Sequence, residues 1–425
     1  MTVAAISDSD HFEERTLSVW KMPLVELMGG LVLFCLVLTS HIALNAEKAE
    51  VGLDAVVLVK LAFTGLALLL GANGFLSDLR VRAVALSWPA VLIPAIFCLY
   101  VFSSLHSSST VEALVSSTSI IAVYLLTITA AIQLGRIKIL EIVFYGSALF
   151  ILVSWLIYFG KPDIGVMMEE VSGVGFVRRM SGLSHPNTLG QFCGLNLVVG
   201  IVLYVTYGRR KLLFVGLCLI ALAALVNSLS RASALAFFFA VIVGYRSYFV
   251  TRNFMKLMLA GAILVAFYLV FYLAEADVGN AIDRRMAMLS KSGDSEEITS
   301  GTGRSQIWAK SISLMRQRPV IGYGPATSKK LLADYSSYTH NLILNVVLSS
   351  GVLGGGLAVT MCVSRLTMMV FMRSAAADAL ATFVLINGLV ENTIFSTICG
   401  LPTICWVLGI VWFAIGKSTK QDAQT

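Results

Sequence analysis

Apolar runs of about 20 residues recur along this chain, parted by short loops that hold most of its charge. They fall near residues 24–44, 51–72, 84–104, 113–134, 139–159, 188–207, 212–228, 232–248, 256–274, 342–363, 376–395 and 399–416. The runs are continuous rather than alternating with period two, so they predict helices that cross a bilayer and not the strands of a membrane barrel. The expected fold is all-α integral membrane, with about twelve transmembrane helices in a single polytopic domain over residues 1–425. The two runs flanking Ser228–Arg231 are short for a full crossing.

One stretch interrupts this pattern. Residues 275–341 form the only long polar segment, and it has its own grain. Val278, Ile282, Met286 and Leu289 recur at helical spacing and predict an amphipathic helix over Asp277–Lys291. Gly293–Gly303 reads as a turn-rich break. Ser300 or Thr302 is placed to cap a second helix with Trp308, Ile312 and Met315 on one face, stopped by Pro319. Gly322, Gly324 and Pro325 predict a tight turn, and Lys329–Tyr335 a third short helix. Such helices fit a lid lying on a membrane surface, and a plain soluble cap without a site fits as well.

Composition agrees with the membrane reading. The chain has 425 residues, 57% hydrophobic and 13% charged, about half the charged share of ordinary soluble domains. The net charge of +7 sits mostly in loops between spans, where it sets orientation rather than nucleic-acid affinity. Arg80 and Arg82, Arg136 and Lys138, Arg209 to Lys211, Arg246, Arg252 and Lys256, Arg365 and Arg373, and Lys417 and Lys420 all fall on one side. The opposite short loops hold only Lys48. The positive-inside rule then puts both termini in the cytoplasm, and the 160–187 loop, the Ser228–Arg231 hairpin and the 275–341 insert on the outer face. Met1–Lys21 lacks the basic-then-apolar pattern of a cleaved leader. The seven cysteines fall in or beside apolar runs without CxxC or His/Cys metal spacing, and read as small buried hydrophobes.

The sequence carries no P-loop, GxGxxG, HExxH or GxSxG motif, which argues against nucleotide-driven and common soluble hydrolase chemistry. The outer face instead collects arginines: Arg178 and Arg179 before Ser181–Asn187, Arg231 in its short hairpin, and Arg304 after Gly301-Thr302-Gly303. Each alone fits headgroup contact. Three outer sites together suit a phosphate-bearing group, because guanidinium forks match phosphate oxygens. His185 and His340 each open a span, and Asn187 and Asn341 follow as capping candidates. With Pro186 at a first turn, capping is the favoured reading at His185. His340 joins the insert to the membrane core and is the candidate base. Glu391, inside an apolar run near the outer end, is a functional candidate or an ion-pair partner. Asp163, Glu169 and Glu170 read as solvated. No carboxylate spacing calls for a metal, and Ser349-Ser350-Gly351 and Gly354–Gly356 read as close-packing residues.

Taken in order, Arg179–Asn187, Ser228–Arg231, Gly303-Arg304 with Trp308, Pro319 with Gly322-Tyr323-Gly324, and His340-Asn341 with Gly351 resemble one family. It is the O-antigen ligase and polysaccharide polymerase superfamily of bacterial membrane glycosyltransferases. The likeness covers residues from about 175 to 355, and the first 170 residues match only as a helix pattern.

The resemblance implies a lipid-dependent, C-type glycosyltransferase fold in the bacterial inner membrane, with residues 275–341 as a periplasmic lid. It implies metal-independent transfer of a glycan from undecaprenyl pyrophosphate to an acceptor hydroxyl. The acceptor would be lipid A-core oligosaccharide in lipopolysaccharide synthesis, or a second lipid-linked glycan in a polymerase of O-antigen or exopolysaccharide. Carried over, Arg231 and Arg304 hold the pyrophosphate, with Arg178 or Arg179 as a third contact. His340 activates the acceptor, and Glu391, His185, Asn187 and Asn341 are supporting residues. No cofactor is implied; membrane lipids are partners and nucleic acid is not. A polytopic transporter or flippase is the alternative of another class. Against it stand the single large outer insert, the lack of a repeat between halves, and charge massed at the boundary rather than mid-span.

Overall fold

A backbone in hydrocarbon must satisfy its own hydrogen bonds, and the apolar runs do so as helices. The computed structural model describes residues 23–43, 55–171, 175–208, 212–246, 304–333, 336, 338–395 and 397–421. The expected span at 256–274, the helix at Asp277–Lys291, the break at Gly293–Gly303 and the caps Ser300 and Thr302 lie outside these residues.

The elements in order are α1 (Leu24–Thr39), α2 (Ala55–Ser77), α3 (Leu79–Ala85), α4 (Leu92–Ser104), α5 (Thr110–Leu134) and α6 (Arg136–Gly160). A one-turn α7 (Pro162–Gly165) leads into strands β1 (Val166–Val171) and β2 (Gly175–Met180). Then come α8 (Pro186–Val205), α9 (Leu212–Ser228), α10 (Arg231–Gly244), α11 (Arg304–Gln317), α12 (Ser328–Leu331), α13 (Leu342–Phe371), α14 (Ala375–Gly388) and α15 (Leu401–Gln421). Among the described residues α2, α5, α6, α8 and α13 are long and apolar enough to cross a membrane, and six further helices are apolar but shorter. The chain is a mostly helical, multi-pass membrane protein.

Burial sorts the helices. The crossing segments of α5 and α8 and the apolar part of α15 are largely enclosed, whereas α2 shows most of its surface outward. α10 packs along α14, α2 along α5, and α8 along α9. Outward leucines on α2, α9 and α10 are what a lipid-facing surface requires.

Several expectations change. The run at 84–104 is not one helix: α3 ends at Ala85, and the cis Trp88–Pro89 bond lies in the turns before α4. The 160–187 loop contains an antiparallel hairpin, the one sheet among the described residues, with Met167 opposite Arg179 and Met168 opposite Arg178. Glu391 is not within a span, because α14 stops at Gly388 and residues 389–395 run without helix. α13 extends to Phe371, so Arg365 is fully buried in it rather than lying in a loop. Cys98 is exposed, unlike the buried Cys193, Cys399 and Cys405.

The second insert helix is α11, but its buried face is Ile307, Ser311 and Leu314, with Trp308 and Met315 alongside and Ile312 exposed. The third is only the short α12. The glycine turn after α11 locks into a break in α13. Ser350 and Gly351 leave helical geometry there. Val352 N–H donates to Pro319 O at 2.7 Å, Tyr323 N–H to Leu348 O at 2.9 Å and Gly324 N–H to Ser349 O at 2.8 Å. Gly351 has φ +68°, and a Cβ there would stand 2.1 Å from Val320 O. The residues read as mere packing are thus a socket that fixes the insert onto the membrane helices.

Candidate functional site

The site forms where β2, the starts of α8, α11 and α13, and the segment after α14 converge. Strand alternation first separates the adjacent arginines. Arg178 faces outward, its guanidinium 4.9 Å from the centre of the Tyr158 ring. Arg179 turns inward and is buried. Its Nη1 meets Glu169 Oε2 at 2.5 Å, its Nη2 donates to Asn187 Oδ1 at 2.8 Å, and its Nε donates to Ser228 O at 3.0 Å. Glu169, expected to be solvated, is therefore an ion-pair partner on the same face of the hairpin. Asp163 is exposed as expected.

The start of α8 comes next. Pro186 opens the helix, and the ring Nδ1 of His185 caps it by accepting Asn187 N–H at 3.2 Å. Burial, then the charge of Arg179, holds the His185 pKa below its ordinary value, against the opposing carboxylates Glu391 and Glu169. A neutral ring is the form that can accept this bond. Asn187, a capping candidate in the sequence, instead bridges: its Oδ1 serves Arg179 and its Nδ2 donates to Glu391 Oε1 at 2.8 Å. Asn341 is the true cap of α13, accepting Leu344 N–H at 3.0 Å, and its Nδ2 donates to Leu389 O at 3.0 Å.

Glu391 is the hub. Its side chain is 3% exposed. Arg304 Nη2, at the start of α11, donates to Oε1 at 2.8 Å, and His340 Nδ1 lies 3.1 Å from Oε2. Burial resists the carboxylate's charge, but the hydrogen bond from His340 and the charges of His340 and Arg304 outweigh it. The pKa of Glu391 stays below the ordinary carboxylate value. An ionised carboxylate only accepts, so His340 Nδ1 carries the proton, and in the neutral ring Nε2 keeps a lone pair. Nε2 is 3.0 Å from the hydroxyl of Ser336.

The surroundings hold His340 in place. It has φ +50°, a strained value for a residue with a Cβ. Trp308 Nε1–H donates to Thr339 O at 3.0 Å, and the Tyr338 ring lies 4.3 Å from the imidazole. Burial, reinforced by Glu391, pushes the Tyr338 hydroxyl's pKa up, so it stays neutral.

Arg231 opens α10 with an exposed side chain. Its hairpin is anchored to the network through Arg179 and Ser228 O. The structure therefore brings Arg179, Asn187, Arg304, His340 and Glu391 into one chain of contacts, places Arg231 and His185 at its edge, and turns Arg178 away. Ser336, Tyr338 and Glu169 were missed in the sequence. Ser336 lies four residues before His340, but a serine in a polar loop carries no signal of its own.

The sequence profile of the O-antigen ligase family matches residues 216–359. The matched stretch includes Arg231, Arg304, Trp308, Gly351 and His340, whereas Arg179, Asn187 and Glu391 lie outside it. No curated protein matches the chain. Residues 216–359, about a third of the chain, are thus similar to the O-antigen ligase family, the group that the ordered motifs from Arg179 to Gly351 also resemble.

Proposed function

We propose that the protein transfers a glycan from a lipid-linked pyrophosphate donor to an acceptor hydroxyl, with His340 as base. The observation that carries this reading is His340 held between a buried carboxylate on Nδ1 and a hydroxyl on Nε2. The acceptor hydroxyl takes the place of Ser336 Oγ and gives its proton to Nε2 as its oxygen attacks the anomeric carbon. The bond from that carbon to the pyrophosphate oxygen breaks, and the lipid pyrophosphate leaves with the electron pair. Arg304 and Arg231 stabilise the negative charge that develops on it. Arg179, held on three sides, anchors the hairpin and aligns Asn187 and Glu391, and Arg178 is an outer contact for the lipid headgroup.

The donor is undecaprenyl-linked, and the acceptor is lipid A-core oligosaccharide or a second lipid-linked repeat. The reaction needs no metal, since the donor is already activated and the arginines supply the positive charge. The alternation of basic loops supports a bacterial inner-membrane protein with cytoplasmic termini and a periplasmic site. Residues 275–341 act as the lid, clamped by the contact of the glycine turn with α13.

The test is glycosyl transfer by purified protein, given lipid-linked glycan and either lipid A-core or a second lipid-linked repeat. Wild type should form a product with one acceptor, and His340→Ala and Arg304→Ala should lose it while keeping their fold. Undiminished transfer by both variants would sink the site assignment. Movement of donor across vesicles with no new glycosidic bond would favour a transporter.

A further inference from the structure

Beyond its break at Ser350 and Gly351, α13 runs on from Val352 to Phe371, about 30 Å of helix, which matches the thickness of a bilayer's hydrocarbon. It therefore ends at the opposite membrane boundary. A second set of charges gathers there. Asp378, in the first turn of α14, accepts Arg365 Nη2 at 2.7 Å on Oδ1 and Arg246 Nη1 at 2.8 Å on Oδ2. Two guanidiniums share one carboxylate, so the cluster keeps a net positive charge. Arg365 is fully buried, and its Nε and Nη1 have no hydrogen-bond partner among the described residues. Buried cations left this short of acceptors are rare.

Beside this cluster lies a cavity of about 430 Å³, lined by Val243, Arg246, Leu366, Met369, Val370 and Arg373. Arg373 is exposed and makes no hydrogen bond or ion pair among the described residues. The apolar wall continues outward. Val359, Val363, Leu366 and Val370 recur at helical spacing on α13, and all four are exposed. An apolar track along a helix thus ends at two arginines.

We propose that this cavity binds an anionic phospholipid, its phosphate between Arg246 and Arg373 and an acyl chain along Val359, Val363, Leu366 and Val370. Charge selects an acid headgroup, and the track selects a lipid over a free anion. A basic pocket between helices at this boundary is the arrangement that recognises acidic headgroups of the cytoplasmic leaflet. The lipid would offset the positive charge that Arg246, Arg365 and Arg373 leave unbalanced around Asp378 and would hold α10, α13 and α14 together, far from the transfer site.

The test uses the full chain reconstituted in nanodiscs of phosphatidylglycerol and phosphatidylcholine, with retained lipid counted by native mass spectrometry after release. Wild type should retain phosphatidylglycerol over phosphatidylcholine. Arg373→Gln, which breaks no hydrogen bond or ion pair among the described residues, should lower that preference about fivefold, and Arg373→Lys should keep most of it. Equal retention of the two lipids by wild type, or an undiminished preference in Arg373→Gln, would overturn the proposal. Displacement of the retained lipid by inorganic phosphate would also overturn it, by showing a free-anion site.

Discussion

His340 and Glu391, 51 positions apart, meet at 3.1 Å between Nδ1 and Oε2. The contact fixes the imidazole tautomer and keeps Nε2 available to a hydroxyl. Glu391 acts through His340 and Arg304, so it is a positioning residue. Glu391→Gln keeps an acceptor but removes the charge that steadies a protonated ring. It should lower kcat about a hundredfold while leaving KM for the acceptor near wild type. Steady-state transfer kinetics with a titrated acceptor separate the two constants, and an unchanged kcat would contradict the role.

The two adjacent arginines should behave differently. Arg179→Gln removes three contacts of a buried guanidinium, among them its ion pair with Glu169, which should destabilise the protein by about 3 kcal/mol. Among the described residues Arg178→Gln loses only its contact with the Tyr158 ring, at most about 1 kcal/mol. Thermal unfolding in one detergent compares them, and equal losses would contradict the inward and outward assignment.

At Gly351 the positive φ and the closeness of Val320 O leave no room for a side chain. Gly351→Ala should cost about 3 kcal/mol and release the 319–324 turn from α13. Gly356, which has nothing within 4 Å of an added Cβ, supplies the control: Gly356→Ala should unfold like wild type. Proteolysis near residues 318–326 would report the freed turn directly.

Stability should fall on acidification, in two stages. The pKa of His185 is lowered from an ordinary 6.5, so its contribution is complete above that value and drains away as pH falls below it. Glu391 is lowered from an ordinary 4.5. Its contribution is complete above that pH and is lost as pH falls through the depressed value. Unfolding temperatures from neutral to acid pH should show both declines, and Glu391→Gln should lack the lower one. A rise in unfolding temperature on acidification would contradict the sign of both shifts.

Much of the site was legible because its residues break a local rule. Arg304 and His340 sit in the one polar segment, and Glu391 is a carboxylate in an apolar run. Their roles relative to one another were not legible. Asn187 looked like a cap, as Asn341 is, yet it bridges Arg179 and Glu391. Glu169 looked solvated because a carboxylate in a loop usually is. Only the hairpin register put it on the same face as Arg179.

By itself the sequence determined the helical membrane class, the positions of most of the described apolar helices and the residue types at the candidate site. Hydropathy, capping and glycine turns are read over a few neighbouring residues, and each acts locally. Tertiary structure alone decided that Glu391 joins Asn187, Arg304 and His340, which are 204, 87 and 51 positions away from it. It also decided that α13 breaks at Ser350 and Gly351 to receive the turn after α11. The physical reason is that a buried carboxylate and an interrupted helix need partners, and sequence patterns record the need without naming the partner.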